Sequence, residues 1–296
     1  MTAQQGGTKT RFISGLIAFV VILPVLLYGG FYGVGLLVLV ATGISCREFH
    51  GIALSGAPRG TLALFGTLSL FVFVIAAYST AGGVPIFKPF LSGPAEQLLF
   101  ILLVSFCVSG AWFLVMARTT ERLADYWASF ILGLVYVPLI LGLMPALLHL
   151  DGGQGWLWVP LFIAWCGDIG GYFAGRAFGK RKLLPTISPK KTWEGFAGGL
   201  ALAVFGLLLY RFVFYGPFIE ATRPLDLRDC VFLGVFGSAF AVLGDLAESM
   251  IKRTHGVKDS GNFLPGHGGL LDRIDAVQFG IVVVFVWAVF VRPVLP

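Results

Sequence analysis

The sequence predicts an all-α, polytopic integral membrane bundle of about nine transmembrane helices. Three observations carry that reading. Of 296 residues, 57% are hydrophobic and 12% charged, against roughly 25% charged in an ordinary soluble domain. Mean hydropathy is +0.88. Apolar runs that can cross about 30 Å of hydrocarbon, which takes about 20 helical residues, recur along the whole chain. This composition excludes secreted, cytosolic, disordered and nucleic-acid-binding classes. The 40 Gly and 28 Phe suit the membrane class, because glycine lets membrane helices approach closely.

The runs are taken in order. The first, 12–28, follows Lys9 and Arg11 as a signal peptide would. Its length, Pro24 and the lack of a small-x-small cleavage site make it a retained helix. The second, 31–46, is short and leads into Arg47, Glu48 and His50, read as a solvated helix end. The third and fourth are 61–78 and 98–117, followed by a mixed loop with Arg118, Glu121, Arg122 and Asp125. The fifth, 127–148, contains Pro138 and Pro145 and should be kinked, since proline cannot donate to the helix ladder. The sixth to ninth are 156–175, 196–215, 230–251 and 276–292. Residues 1–150 are read as a membrane scaffold that could also supply dimer contacts. Residues 151–296 are read as the catalytic region, with polar loops 176–195 and 252–275.

Net charge is +6. With a cytosolic N-terminus and nine crossings, 16 of the 21 basic residues fall on the cytosolic side. That bias follows the positive-inside rule and sets the expected topology. The four cysteines, Cys46, Cys107, Cys166 and Cys230, are scattered and form no C-x-x-C, so buried inert thiols are expected rather than a zinc site or disulfides.

Acids inside the apolar runs are costly unless they face a partner, water or a metal. Asp168 lies eight residues before Arg176, and Asp245 seven before Lys252. At 1.5 Å per residue they sit about 12 Å and about 10 Å in from the cytosolic end. Asp272 and Asp275 precede the ninth run on the same side. Four carboxylates at similar depth favour a hard divalent cation such as Mg²⁺ over zinc. Asp245, Ser249 and Lys252 are spaced i, i+4, i+7 and share one helix face, with Glu248 at its edge. An ion pair between Asp245 and a neighbouring base is the plainer alternative.

The loops add phosphate chemistry. Ser188-Pro189-Lys190-Lys191-Thr192 places hydroxyls, backbone donors and two ammonium groups just before a helix, a natural anion site. Glu194 reads as a first-turn acid. The second loop alternates Lys252, Arg253, Lys258 and Arg273 with Asp259, Asp272 and Asp275, and carries Pro265-Gly266-His267-Gly268-Gly269. Glycines permit close backbone approach to a ligand. Mixed signs suit a metal-bound polyphosphate. His267 is better placed to hydrogen bond backbone or phosphate than to ligate metal.

The segment Ser249-x-Ile251-Lys252-Arg253-x4-Lys258-Asp259-x-Gly261-x2-Leu264-Pro265-x-His267-Gly268-Gly269-Leu270-x-Asp272-Arg273-Ile274-Asp275 spans 27 residues. It resembles the complete signature of the phosphatidate cytidylyltransferases, also called CDP-diacylglycerol synthases. Asp168-Ile169-Gly170-Gly171-Tyr172 and the Ser188–Thr192 segment resemble the family more loosely. The resemblance implies conversion of CTP and phosphatidate to CDP-diacylglycerol and pyrophosphate, an early step of phospholipid biosynthesis. It implies Mg²⁺, with room for a second, monovalent cation such as K⁺. It implies a multi-pass protein of the bacterial inner membrane, surrounded by membrane lipids, often dimeric, with its active site toward the cytosol. By the same resemblance Asp245 and Asp272 are the main metal-binding carboxylates, with Asp168, Glu248 and Asp275 as further candidates. Ser249, Lys252, Lys190 and Lys191 would contact substrate phosphates, and Ser188, Arg253, Lys258, Asp259, His267, Gly268, Gly269 and Arg273 would line the substrate site. Two other readings compete: a CTP-dependent lipid kinase of the polyprenol or phytol type, and an ion-coupled transporter in which buried acids relay ions.

Overall fold

The computed structural model describes residues 20–91, 93–117, 120–214, 225–263 and 268–294. The expected runs from the second onward are all helical. In order they are α1 (Gly30–Ala53), α2 (Thr61–Ala77), α3 (Pro94–Met116), α4 (Leu123–His149), α5 (Gly153–Phe178), α6 (Trp193–Val213), α7 (Leu227–Thr254) and α8 (Leu271–Val291). Of the first run, residues 12–19 lie outside the described residues, and residues 20–28 are helical. Apart from α2, which is 17 residues long, each of these eight is long and apolar enough to cross a membrane. α1 exceeds its expected run because Arg47, Glu48 and His50 continue the helix. Among the described residues the two strands form a small hairpin, β1 (Lys182–Leu184) against β2 (Ser188–Thr192), antiparallel with Lys182 opposite Thr192.

Four spans contain a π-turn: Val135–Leu139 in α4, Tyr210–Phe214 at the end of α6, Leu233–Gly237 in α7 and Trp287–Val291 in α8. The first holds Pro138. Proline offers no N–H to the preceding turn, and the wider turn is the form the expected irregularity takes.

The chain divides into two compact units. The first is the chain up to Ala146 together with His255–Arg273; the second is Leu147–Thr254 together with the chain from Ile274. In the first unit an aromatic cluster joins α1 to α4. Phe49 stacks on Phe65 with ring centroids 6.1 Å apart, and Phe130 meets Phe65 edge-on at 5.1 Å and Phe113 at 5.9 Å. Gly133 makes room for them: a Cβ there would come within 2.6 Å of Phe49 and 2.7 Å of Phe65. Buried Gln97 staples the segment before α3, accepting from the Val84 N–H at 2.7 Å and donating to the Leu91 carbonyl at 3.2 Å. Such pairing is what a polar group buried in an apolar bundle requires.

In the second unit the buried Tyr210 hydroxyl donates to the Gly155 carbonyl at 2.9 Å, tying α6 to α5. Trp287 stacks on Phe232 with centroids 4.0 Å apart and donates its indole N–H to Asp229 at 2.9 Å. Arg292 pairs with Asp229 and, at 3.0 Å, with Asp226. The C-terminal end of α8 is thus held to the start of α7. Of the cysteines, Cys46 and Cys230 are buried, Cys166 is half-buried, and Cys107, expected to be buried, is exposed on α3.

Candidate active site

In the second unit α5 and α6 meet through glycine. A Cβ on Gly170 would lie 2.5 Å from the Gly198 carbonyl oxygen, and one on Gly199 2.9 Å from that of Gly167. With no side chains between them the two backbones touch, the close approach that small residues allow in membrane bundles. The hairpin feeds directly into α6. Thr192 is its N-cap, accepting from the Gly195 N–H at 3.1 Å; this satisfies one orphan donor of the first turn. Glu194 does more than a first-turn acid would. Its carboxylate accepts from the backbone N–H groups of Lys180 at 3.0 Å and Arg181 at 3.2 Å, clamping the entry to β1.

This packing sets β2 beside a cavity of about 520 Å³. Asp168, Tyr172 and Arg176 line it from α5, Lys190 and Lys191 from β2, and Phe196 and Val242 from α6 and α7. Charged groups of both signs and apolar groups therefore share one space.

On α7, Asp245 Oδ2 lies 2.6 Å from Lys191 Nζ, and Ser249 donates to Asp245 Oδ1 over a long 3.4 Å. Lys191 is the neighbouring base that the sequence left unspecified. Lys252, expected beside Asp245 and Ser249, is buried and pairs with buried Glu248 one turn back. Asp275 feels the charges of Asp245, Lys252 and Asp168, so these groups form one electrostatic neighbourhood. The α7–α8 contact behind them is tight: a Cβ on Gly244 would lie 2.5 Å from the Asp275 carbonyl oxygen. Arg253 is exposed at the end of α7, and Ser188 begins β2.

In the first unit, the signature loop is organised by two carboxylates. Asp272 Oδ2 accepts from the Ser260 N–H, the Ser260 hydroxyl and the Gly269 N–H, each at 2.9 Å. Glu48, on α1, accepts from the Leu270 N–H at 2.9 Å and the Leu271 N–H at 2.8 Å. Gly268 adopts φ +85°, a left-handed conformation suited to glycine. Lys258, Asp259 and Arg273 are exposed. His267, with Leu264, Pro265 and Gly266, lies outside the described residues.

The expected residues thus fall into two sets: Asp168, Ser188, Lys190, Lys191, Asp245, Glu248, Ser249, Lys252, Arg253 and Asp275 in the second unit, and Lys258, Asp259, Gly268, Gly269, Asp272 and Arg273 in the first. Among the described residues no three His, Cys, Asp or Glu side chains gather as a metal-ligating group. Glu48, Ser260 and the clamping role of Glu194 are additions. Nothing local marks Glu48, whose loop partners lie 222 and 223 residues away.

The profile of a family described as the cytidylyltransferase family matches residues 9–291. A phosphatidate cytidylyltransferase of Bacillus subtilis (strain 168) is 31% identical over 281 residues, covering 92% of this chain and 94% of that protein. One from Pseudomonas aeruginosa is 33% identical over 292 residues, covering 95% and 97%. One from Mycobacterium bovis is 40% identical over 157 residues, 52% of this chain and only 48% of that protein.

Proposed function

The chain belongs to the cytidylyltransferase family, and from that premise we propose that it transfers the cytidylyl group of CTP to phosphatidate. A phosphate oxygen of phosphatidate attacks the α-phosphorus of CTP. The bond from that phosphorus to the β-phosphate oxygen breaks, and pyrophosphate leaves with its electrons. The attacking phosphate is already anionic, so the transfer calls on positioning and charge neutralisation more than on a protein base.

The observation that carries this reading is the amphipathic cavity beside β2. Lys190, Lys191 and Arg176 offer cationic donors for phosphate oxygens, while Phe196 and Val242 give apolar surface in the same space. One substrate is water-soluble and the other a lipid, and such a lining suits both. Arg253, exposed at the end of α7, offers further phosphate-binding charge.

Mg²⁺ is part of the proposal. Asp168 lines the cavity and Asp245 is partly open beside Lys191; both are hard oxygen donors, the donor chemistry such a cation prefers, and would hold it with substrate phosphate oxygens as further ligands. When bound it neutralises charge on the phosphates. Glu248, paired with Lys252, is left out of that set. A monovalent second cation, a homodimer, a cytosolic N-terminus and an active site facing the cytosol from the inner membrane complete the reading. They are supported by the family resemblance and by the distribution of basic residues.

The test is incubation of the purified protein with phosphatidate and CTP labelled in the α-phosphate, with and without Mg²⁺. Label entering lipid is the expected result. Lipid labelled only from the γ-phosphate would replace this reading with a lipid kinase.

A further inference from the structure

We propose that Glu48 is a positioning residue for the transfer reaction, acting from the N-terminal half of the chain on the signature loop; the inference rests on the activity proposed above. Its two carboxylate oxygens serve different donors. Oε1 accepts from the Leu270 N–H and Oε2 from the Leu271 N–H. These amides open α8, where helix N–H groups have no partner within the helix and a negative charge is favoured by the dipole. Glu48 thereby fixes the backbone between the glycines of the loop and Asp272.

The loop is built around this carboxylate. A Cβ on Gly261 or on Gly269 would come within 2.7 Å of a Glu48 carboxylate oxygen, so the acid occupies the space that side chains at those positions would need. Ser260 separates the two acids. Its hydroxyl lies 3.3 Å from Glu48 Oε2 and 2.9 Å from Asp272 Oδ2. Asp272 in turn takes the Gly269 and Ser260 amides. The amides held in this way, those of Ser260, Gly269, Leu270 and Leu271, lie within the signature segment. A glutamine does not reproduce Glu48, because the two N–H groups approach different carboxylate oxygens and an amide would set an NH₂ donor against one of them.

The experiment compares wild type, E48Q, E48A, E48D and S260A as full chains in detergent–phosphatidate micelles. For each, kcat and KM for CTP are measured, together with hydrogen exchange at the Leu270 and Leu271 amides. E48Q and E48A are expected to lose about 100-fold in kcat, the scale of a small misplacement of reacting groups. KM should stay within about threefold, as for an interaction made only in the transition state. E48D should recover part of the loss, S260A should show a smaller one, and both amides should exchange faster in E48Q. Wild-type kcat in folded E48Q, or a change confined to KM, would overturn the inference, as would unchanged exchange. Should E48A not fold, E48Q, E48D and S260A decide. If wild type itself labels no lipid, the activity reading fails separately, and protection of the two amides alone judges whether Glu48 holds the loop.

Discussion

Lys191 Nζ stands 2.6 Å from Asp245 Oδ2, joining strand β2 to helix α7. Both side chains are partly open, at 24% and 31% exposure. Each partner is therefore held in place by the other and is still reachable by an arriving ion of opposite charge. A phosphate can recruit the lysine, and a cation the aspartate.

D245N keeps the shape and removes the charge. It is expected to lower kcat by about 100-fold or more, while the protein still inserts and purifies as wild type does. K191M should act more on substrate binding, raising the KM for CTP by about tenfold. Steady-state kinetics on the two variants checks both. Near-normal turnover in D245N would remove Asp245 from the reaction.

The glycine contact between α5 and α6 leaves no room for a side chain. G198L is expected to cost about 1–3 kcal/mol, as overpacking does, because a Cβ at Gly198 would already lie 2.2 Å from the Ala174 Cβ. G66L is the control, since nothing lies within 4 Å of a Cβ there. Thermal unfolding in detergent should show a lower Tm for the first and no shift for the second.

Asp229 is 1% exposed and depends on Arg292 and Trp287 for its compensation. R292M leaves a buried carboxylate without its cation and is expected to destabilise by about 3 kcal/mol. The double variant R292M/D229N should regain part of that loss. A double-mutant cycle read by thermal unfolding tests this, and additive effects would argue against coupling.

Glu194 governs the entry to the hairpin. E194A is expected to raise the KM for CTP severalfold with little change in kcat, because the hairpin carries Lys190 and Lys191 to the cavity. An unchanged KM would mean that β1 and β2 hold their place without the clamp.

The helices could be read from the sequence because hydrocarbon imposes a length and an apolar composition that few other environments require. Each expected run from 31–46 onward coincides with a helix, and the ends differ because polar residues such as Glu48 and His50 continue a helix past its apolar stretch. The hairpin was not legible: Ser188–Thr192 is short and polar, and pairing with β1 rather than its own pattern makes it a strand. Lys190, Lys191 and Asp168 could be singled out from charge in unlikely surroundings, and they line one cavity. The partner of Asp245 could not, because nothing in the chain between Lys191 and Asp245 encodes their meeting. Lys252 shows a partner that spacing alone did not single out. The i, i+7 spacing suggested a shared face with Asp245, and the structure adds an ion pair with buried Glu248 at i−4. Glu48 looked like a helix end because its loop lies at the far end of the chain.

The π-turns have a consequence for how these helices can vary. One extra residue in a turn rotates everything after it by about 100° relative to a regular helix. In α7 the turn at Leu233–Gly237 stands between Asp229, committed to Arg292 and Trp287, and the Asp245–Ser249 stretch, committed to Lys191. A helical wheel drawn through the whole of α7 would therefore misassign one of its two halves. Deleting a single residue from that turn would swing one commitment out of phase with the other, whereas a substitution within either half leaves the phase of the other untouched. The irregular turn makes α7 two short helices in series, each free to diverge at its own pace.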